Sequence, residues 1–74
     1  MQAIAHIRKH VLQISQARLA EVAKVAQATV SRWEAGEFDP GLAEITRIRT
    51  WALAEGKAWD DASLFLNHKS EEVA

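Results

Sequence analysis

Seventy-four residues with a net charge of -1 and 49% hydrophobic residues make one small domain, which buries only roughly 60% of the surface its unfolded chain exposes and so needs an economical core. The absence of cysteine excludes a disulfide frame and a thiolate metal site and fits a reducing, cytoplasmic setting. No apolar run approaches the roughly 18 residues a membrane span requires, and in MQAIAHIRKH the basic residues follow the apolar ones, the reverse of a signal peptide.

The elements are helical throughout, without alternating Val, Ile or Thr runs or an Asn-Gly turn. Ile4, Ile7 and Val11 share one stripe and predict a first helix over about 2–12. Ser15 suits the N-cap of a second helix over about 16–23, with Leu19, Ala20 and Ala23 inward, and Val25 points to the core from the following turn. A third helix over about 27–35 buries Val30 and Trp33 and leaves Gln27, Ala28 and Arg32 on a face that the core does not need. Gly36 is placed as its left-handed C′ residue. Asp39-Pro40-Gly41 is a turn, because proline cannot continue a helix. A fourth helix over about 42–54 carries Leu42, Ile45, Ile48 and Ala52 at core spacing and stops at Gly56. A fifth, over about 60–67, begins at Asp60 or Asp61 and carries Leu64 and Phe65. Residues 1–67 form the expected domain, and 68–74 a frayed tail.

Charge is unevenly distributed. Residues 1–50 hold seven Lys/Arg against five Asp/Glu, whereas residues 51–74 hold two against five. The division suits one face for phosphate and another for a different partner, or simply a mixed solvated surface. His6 and His10 stand at i, i+4, but no carboxylate or cysteine lies at supporting spacing, so they read as exposed side chains and no metal or cofactor is expected. Three histidines, no cysteine and scattered serines give no support to hydrolase chemistry, and no glycine-rich phosphate loop is present. The chain is expected not to be an enzyme.

The short helix, turn and short helix between Ser15 and Gly36 have the shape that lays a second helix in the major groove. The patterns S-Q-x-x-L-A from Ser15, V-x-Q-x-T-V-S-R-W-E from Val25 and G-x-x-x-P from Gly36, preceded by Ile7-Arg8, together resemble the phage repressor and Cro family of helix-turn-helix domains, also called the xenobiotic-response-element family. The resemblance covers roughly residues 4–54. It implies an all-α bundle of five short helices with helix 3 as the reader. Gln27, Ala28 and Arg32 fall on the family's base-contacting positions, Gln16 on its phosphate-binding glutamine, and Thr29 and Ser31 near the backbone. Arg8 and Glu34 match a pair that joins helix 1 to the end of helix 3 and fixes the reader.

The residue types suit those roles. A glutamine amide pairs with adenine N6 and N7, an arginine fork pairs with guanine O6 and N7, and alanine can meet a thymine methyl. Three departures from the family stand out. Lys24 occupies a turn position usually held by glycine, Ala26 an N-cap position usually held by serine or threonine, and Glu37-Phe38-Asp39 a loop that often carries cations. Phosphate contact would then rest on Arg18, Lys24, Arg47 and Arg49, with Lys9 in reserve, and the salt slope should be shallower than about -6. The apolar C-terminal third points to a homodimer through Trp59, Leu64 and Leu66, since the family commonly uses this region for a two-fold contact. The favoured expectation is a transcriptional regulator, a repressor, on a pseudo-palindromic stretch of double-stranded DNA. The alternative is a protein-interaction module on the same fold, such as an antitoxin that covers a toxin or another regulator with its acidic, apolar C-terminal half.

Overall fold

The structure, a computed structural model, describes residues 2–62. Helix α1 (Gln2–His6) runs directly into a π-helical stretch (Ile7–Leu12), followed by α2 (Gln16–Ala23), α3 (Gln27–Glu34) and α4 (Leu42–Ala54). The architecture is all-α, with four α-helices and no strand among the described residues. The expected fifth helix falls mostly outside them, as do Leu64, Phe65 and Leu66. Its expected start is visible as an Asp60 carboxylate that accepts the N–H of Ala62 at 3.0 Å.

The first helical segment departs from the expected stripe for a geometric reason. The N–H of Gln13 donates to the carbonyl of Arg8, closing the wider i→i+5 turn of a π-helix. Five residues per closure bring Leu12, not Val11, beneath Ile7. Ile4, Ile7 and Leu12 are accordingly fully buried, whereas Val11 is half-buried against the core they build.

Ser15 caps α2 by accepting the N–H of Arg18 on its Oγ at 3.0 Å. Leu19, Ala20 and Ala23 are buried, and Val25 packs against them from the turn. Helices α2, α3 and α4 all end in the same paired closure, in which two N–H groups beyond the helix return to its last carbonyls. Lys24 and Val25 donate to Glu21 and Ala20, Gly36 and Glu37 to Trp33 and Arg32, and Gly56 and Lys57 to Leu53 and Ala52. The residue at the pivot takes positive φ in each case: 61° at Lys24, 82° at Gly36 and 71° at Gly56. A side chain at φ > 0 is strained, so Lys24 occupies a position for which the other two helices use glycine. Ala26 is extended, with φ -72° and ψ 151°, and precedes α3 without a side-chain cap.

Helix α4 spans the expected residues, and the side chain of Glu44 accepts the N–H of Gly41 at its start at 2.9 Å. Its core stripe is narrower than expected. Ile48 and Ala52 are buried and Ile45 is half-buried, but Leu42 is 84% exposed. At about 100° per residue, Leu42 lies roughly 120° around the helix from Ile48, level with Arg49 and Leu53 on the outer face. The expectation of a core Leu42 is therefore corrected.

Helix α2 packs on α3 and α4, and α1 packs on α3, and Trp33 shares one buried core with Ile4, Ile7, Leu19, Val30 and Ile48. Past α4 the chain returns along it. Trp59 packs against the core and donates its indole N–H to Asp61 at 2.6 Å, and Arg49 donates to the same carboxylate oxygen at 3.0 Å. The hydrogen bonds from Trp59 and then Arg49 hold the Asp61 carboxyl below its usual range.

Candidate nucleic-acid interface

The motif is built by α2, the Lys24 turn and α3. On α3, Val30 and Trp33 are buried and Thr29 and Glu34 are half-buried, while Gln27, Ala28, Ser31, Arg32 and Ala35 are exposed. At about 100° per residue the exposed five form one continuous arc of roughly 140°. Gln27 and Arg32 stand about 7.5 Å apart along the axis, so in a major groove they meet different base pairs.

Arg32 differs from the other four arginines. Arg8 pairs with Glu34, Arg18 with Glu21, Arg47 with Glu44 and Arg49 with Asp61. The guanidinium of Arg32 makes no hydrogen bond or ion pair among the described residues, and neither does the amide of Gln27. Both sit on the exposed arc of α3 with their donors unused.

The residues expected at phosphate are placed less uniformly. Lys24 is exposed at the pivot of the turn, Ser31 is exposed within the arc of α3, and Thr29 is half-buried beside it. Arg18 donates to Glu21 at 3.1 Å and lies over the Trp51 ring, 5.6 Å from its centroid. Arg47 donates to the carbonyl of Ala23 at 3.0 Å, which satisfies a helix-end carbonyl of α2. Both arginines thus fasten α2, Arg47 to its C-terminal end and Arg18 to α4. Lys9 is exposed, and Arg49 is held at Asp61.

A network at the C-terminal end of α3 ties it to the preceding segments. Arg8 grips Glu34 through Nε and Nη2, the latter at 3.1 Å, and its Nη1 donates to the carbonyl of Ile14 at 3.0 Å. The two side chains are only 12% and 11% exposed. Gln16 donates its amide N–H to Glu34 Oε1 at 3.1 Å. Burial acts to raise the Glu34 carboxyl, but hydrogen bonds from Arg8 and Gln16 and the charges of Arg8 and Lys9 outweigh it and hold the carboxyl below its ordinary value. The bond to Glu34 likewise raises Arg8 above the usual arginine range. The contact between Gln16 and Glu34 is absent from the sequence reading, in which Gln16 serves phosphate or a local cap. Its one available signal was that a carboxylate already matched to an arginine keeps spare acceptor lone pairs.

Glu37 and Phe38 follow α3 as exposed residues, Phe38 at 44%. His6 and His10 are exposed neighbours with ring centroids 4.9 Å apart, and no third metal-ligating side chain joins them among the described residues.

In comparisons with known proteins, a family model described as helix-turn-helix matches residues 4–49, which takes in the π-helical stretch, α2, the turn, α3 and the start of α4. The chain belongs to this helix-turn-helix family, of the phage repressor and Cro type. It is thus a DNA-binding helix-turn-helix domain of a regulatory family. No curated protein and no solved structure matches it. Among the described residues no helix is long and apolar enough to cross a membrane.

Proposed function

We propose that the chain is a sequence-specific transcriptional regulator, a repressor, that lays α3 in the major groove and binds a pseudo-palindromic operator as a homodimer. The observation that carries this reading is the exposed arc of α3, on which Gln27 and Arg32 hold unused donors while every other arginine is engaged within the chain. Gln27 reads an adenine, Arg32 a guanine, and Ala28 leaves room for a thymine methyl. Gln16, Lys24, Thr29 and Ser31 meet phosphate, and Arg18 and Arg47 add to them without leaving their intramolecular partners. Dimerisation through Trp59, Leu64 and Leu66 would set two reading helices about 34 Å apart, one turn of DNA. A domain of this size represses by occupying promoter DNA.

Selection of bound duplexes from a random pool tests the proposal. Enrichment of a palindromic motif is expected, and Arg32→Ala should lose discrimination at one base pair of each half-site, by about 1–3 kcal/mol. No enrichment, or an Arg32→Ala variant with the parent's preferences, refutes it. A second reading, a protein-interaction module such as an antitoxin, is favoured by one feature: exposed Glu37 and Phe38 directly beyond α3, where an acidic side chain repels phosphate. That reading predicts no enriched duplex.

A further inference from the structure

Glu34, the last residue of α3, turns its half-buried carboxylate to Arg8 and also holds the amide of Gln16. We infer that Glu34 is a positioning residue for phosphate binding, acting through Gln16. The inference rests on the proposed DNA-binding role of Gln16 and goes beyond it.

The geometry gives the reason. An ionised carboxylate only accepts hydrogen bonds, so the Gln16 amide must turn its nitrogen, not its oxygen, toward Glu34 Oε1 at 3.1 Å. Of the two amide N–H groups, one is taken by Glu34 and the second is unengaged among the described residues. The orientation of Glu34 is itself fixed, because Arg8 takes both carboxylate oxygens and is anchored in turn on the carbonyl of Ile14. Gln16 is the first residue of α2, where unpaired backbone N–H groups also point outward. A half-buried glutamine, which in water would sample many rotamers, is thereby held with one donor presented beside that helix end. Ordering a long polar side chain before binding removes an entropic cost from the complex. Three side chains from three successive segments thus act as one unit: Arg8 fixes Glu34, and Glu34 fixes Gln16.

The test is a double-mutant cycle on duplex DNA. Phosphate contacts carry no sequence information, so a 20-base-pair duplex of arbitrary sequence at low salt serves as the probe, read by fluorescence anisotropy. Gln16→Ala should weaken binding roughly three- to tenfold, the worth of one hydrogen bond. Glu34→Gln should weaken it by a similar factor. The double variant should bind no worse than the weaker-binding single variant, because Glu34→Gln removes the acceptor-only charge that orients the amide and Gln16→Ala removes the amide it orients. A double variant weakened by the product of the two factors overturns the inference, since it would mean that Glu34 acts only through the fold. Gln16→Ala binding as well as the parent overturns it too, and leaves the reading of bases by α3 intact. Failure of the parent to bind any duplex refutes the proposed function itself. Should Glu34→Gln not fold, side-chain amide resonances in the parent decide the tether: the Gln16 pair is expected shifted from the free-glutamine position and moving with the titration of Glu34, and a pair at the free position overturns the inference.

Discussion

Replacement of Lys24 by glycine should raise stability and lower DNA affinity at once. Lys24 sits at φ 61°, ψ 47°, a conformation that costs a residue with a Cβ roughly 1–2 kcal/mol. Glycine removes that strain but returns about 0.5–1 kcal/mol through the greater freedom of its unfolded chain. The helix-closing bonds of this turn come from backbone N–H groups of Lys24 and Val25, so they survive the change. The net gain is about 0.5–1 kcal/mol, which for a domain of this size lifts the melting temperature by about 2–8 °C. The variant also loses a cation from the turn of the motif. One fewer phosphate contact in each protomer makes the slope of log K against log salt for the homodimer shallower by about 1.8. Thermal unfolding followed by circular dichroism and a salt titration of duplex binding read the two effects separately. Lys24→Asn should lose the same slope with a smaller rise in melting temperature, because asparagine keeps a Cβ but tolerates the left-handed region better than lysine. A lower melting temperature for Lys24→Gly would refute the strain argument. An unchanged salt slope would remove Lys24 from the phosphate contacts.

Ala26→Ser should stabilise by about 0.5–2 kcal/mol, because the extended residue before α3 lacks a side-chain cap that serine supplies; an unchanged melting temperature would count against it. Trp33→Ala should cost about 3–5 kcal/mol and leave the domain largely unfolded, as near-native circular dichroism would disprove. The Glu34 carboxyl is held below the ordinary value of 4.5, so its pairing adds stability above that pH and loses it as the pH falls through the lower folded value. Glu34→Gln should therefore show a shallower loss of stability below pH 4.5 than the parent, and parallel acid-unfolding curves would contradict the assignment. If Arg18, Lys24 and Arg47 are the cations that reach phosphate, a homodimer should bind DNA with a salt slope of about -5, and a slope near -10 would show that further cations are recruited as well.

Much of the fold was legible because its signals are local. Leu19, Ala20 and Ala23 at helical spacing, the Ser15 cap, Gly36 and Gly56 as left-handed closures, and Pro40 as a breaker each act within a turn or two of the chain. The misplaced residues are those whose environment is set by something longer in range or by a subtler local choice. Leu42 stands in steps of three before Ile45 and Ile48, but each such step turns the helix by about 300°, and the drift carries Leu42 round to the outer face. Val11 gives way to Leu12 because the helix closes at five residues there, a choice the apolar pattern does not encode. The site divides in the same way. That Gln27, Ala28 and Arg32 lie outside the core follows from periodicity, whereas Arg47 bonding Ala23, Arg18 lying over Trp51 and Gln16 held by Glu34 depend on which helices meet.

These long-range contacts bear on the proposed function through charge. The chain carries five arginines, and four of them join segments of its own fold: Arg8 the π-helical stretch to α3, Arg18 α2 to α4, Arg47 α4 to the end of α2, and Arg49 α4 to the returning chain. A domain whose cations are used in this way offers DNA few phosphate contacts, and exposed Glu37 weakens the general attraction further. Non-specific binding, which is almost wholly electrostatic, is then weak. Contacts at base edges do not share that weakness, because a bidentate pair from Arg32 or Gln27 depends on hydrogen-bond geometry and contributes about 1–3 kcal/mol at its own base pair. Discrimination between sequences therefore makes up a larger share of the total binding free energy than it would for a more basic domain. Under the proposed function two protomers are needed for those few contacts to add to a useful affinity, so that function requires dimerisation.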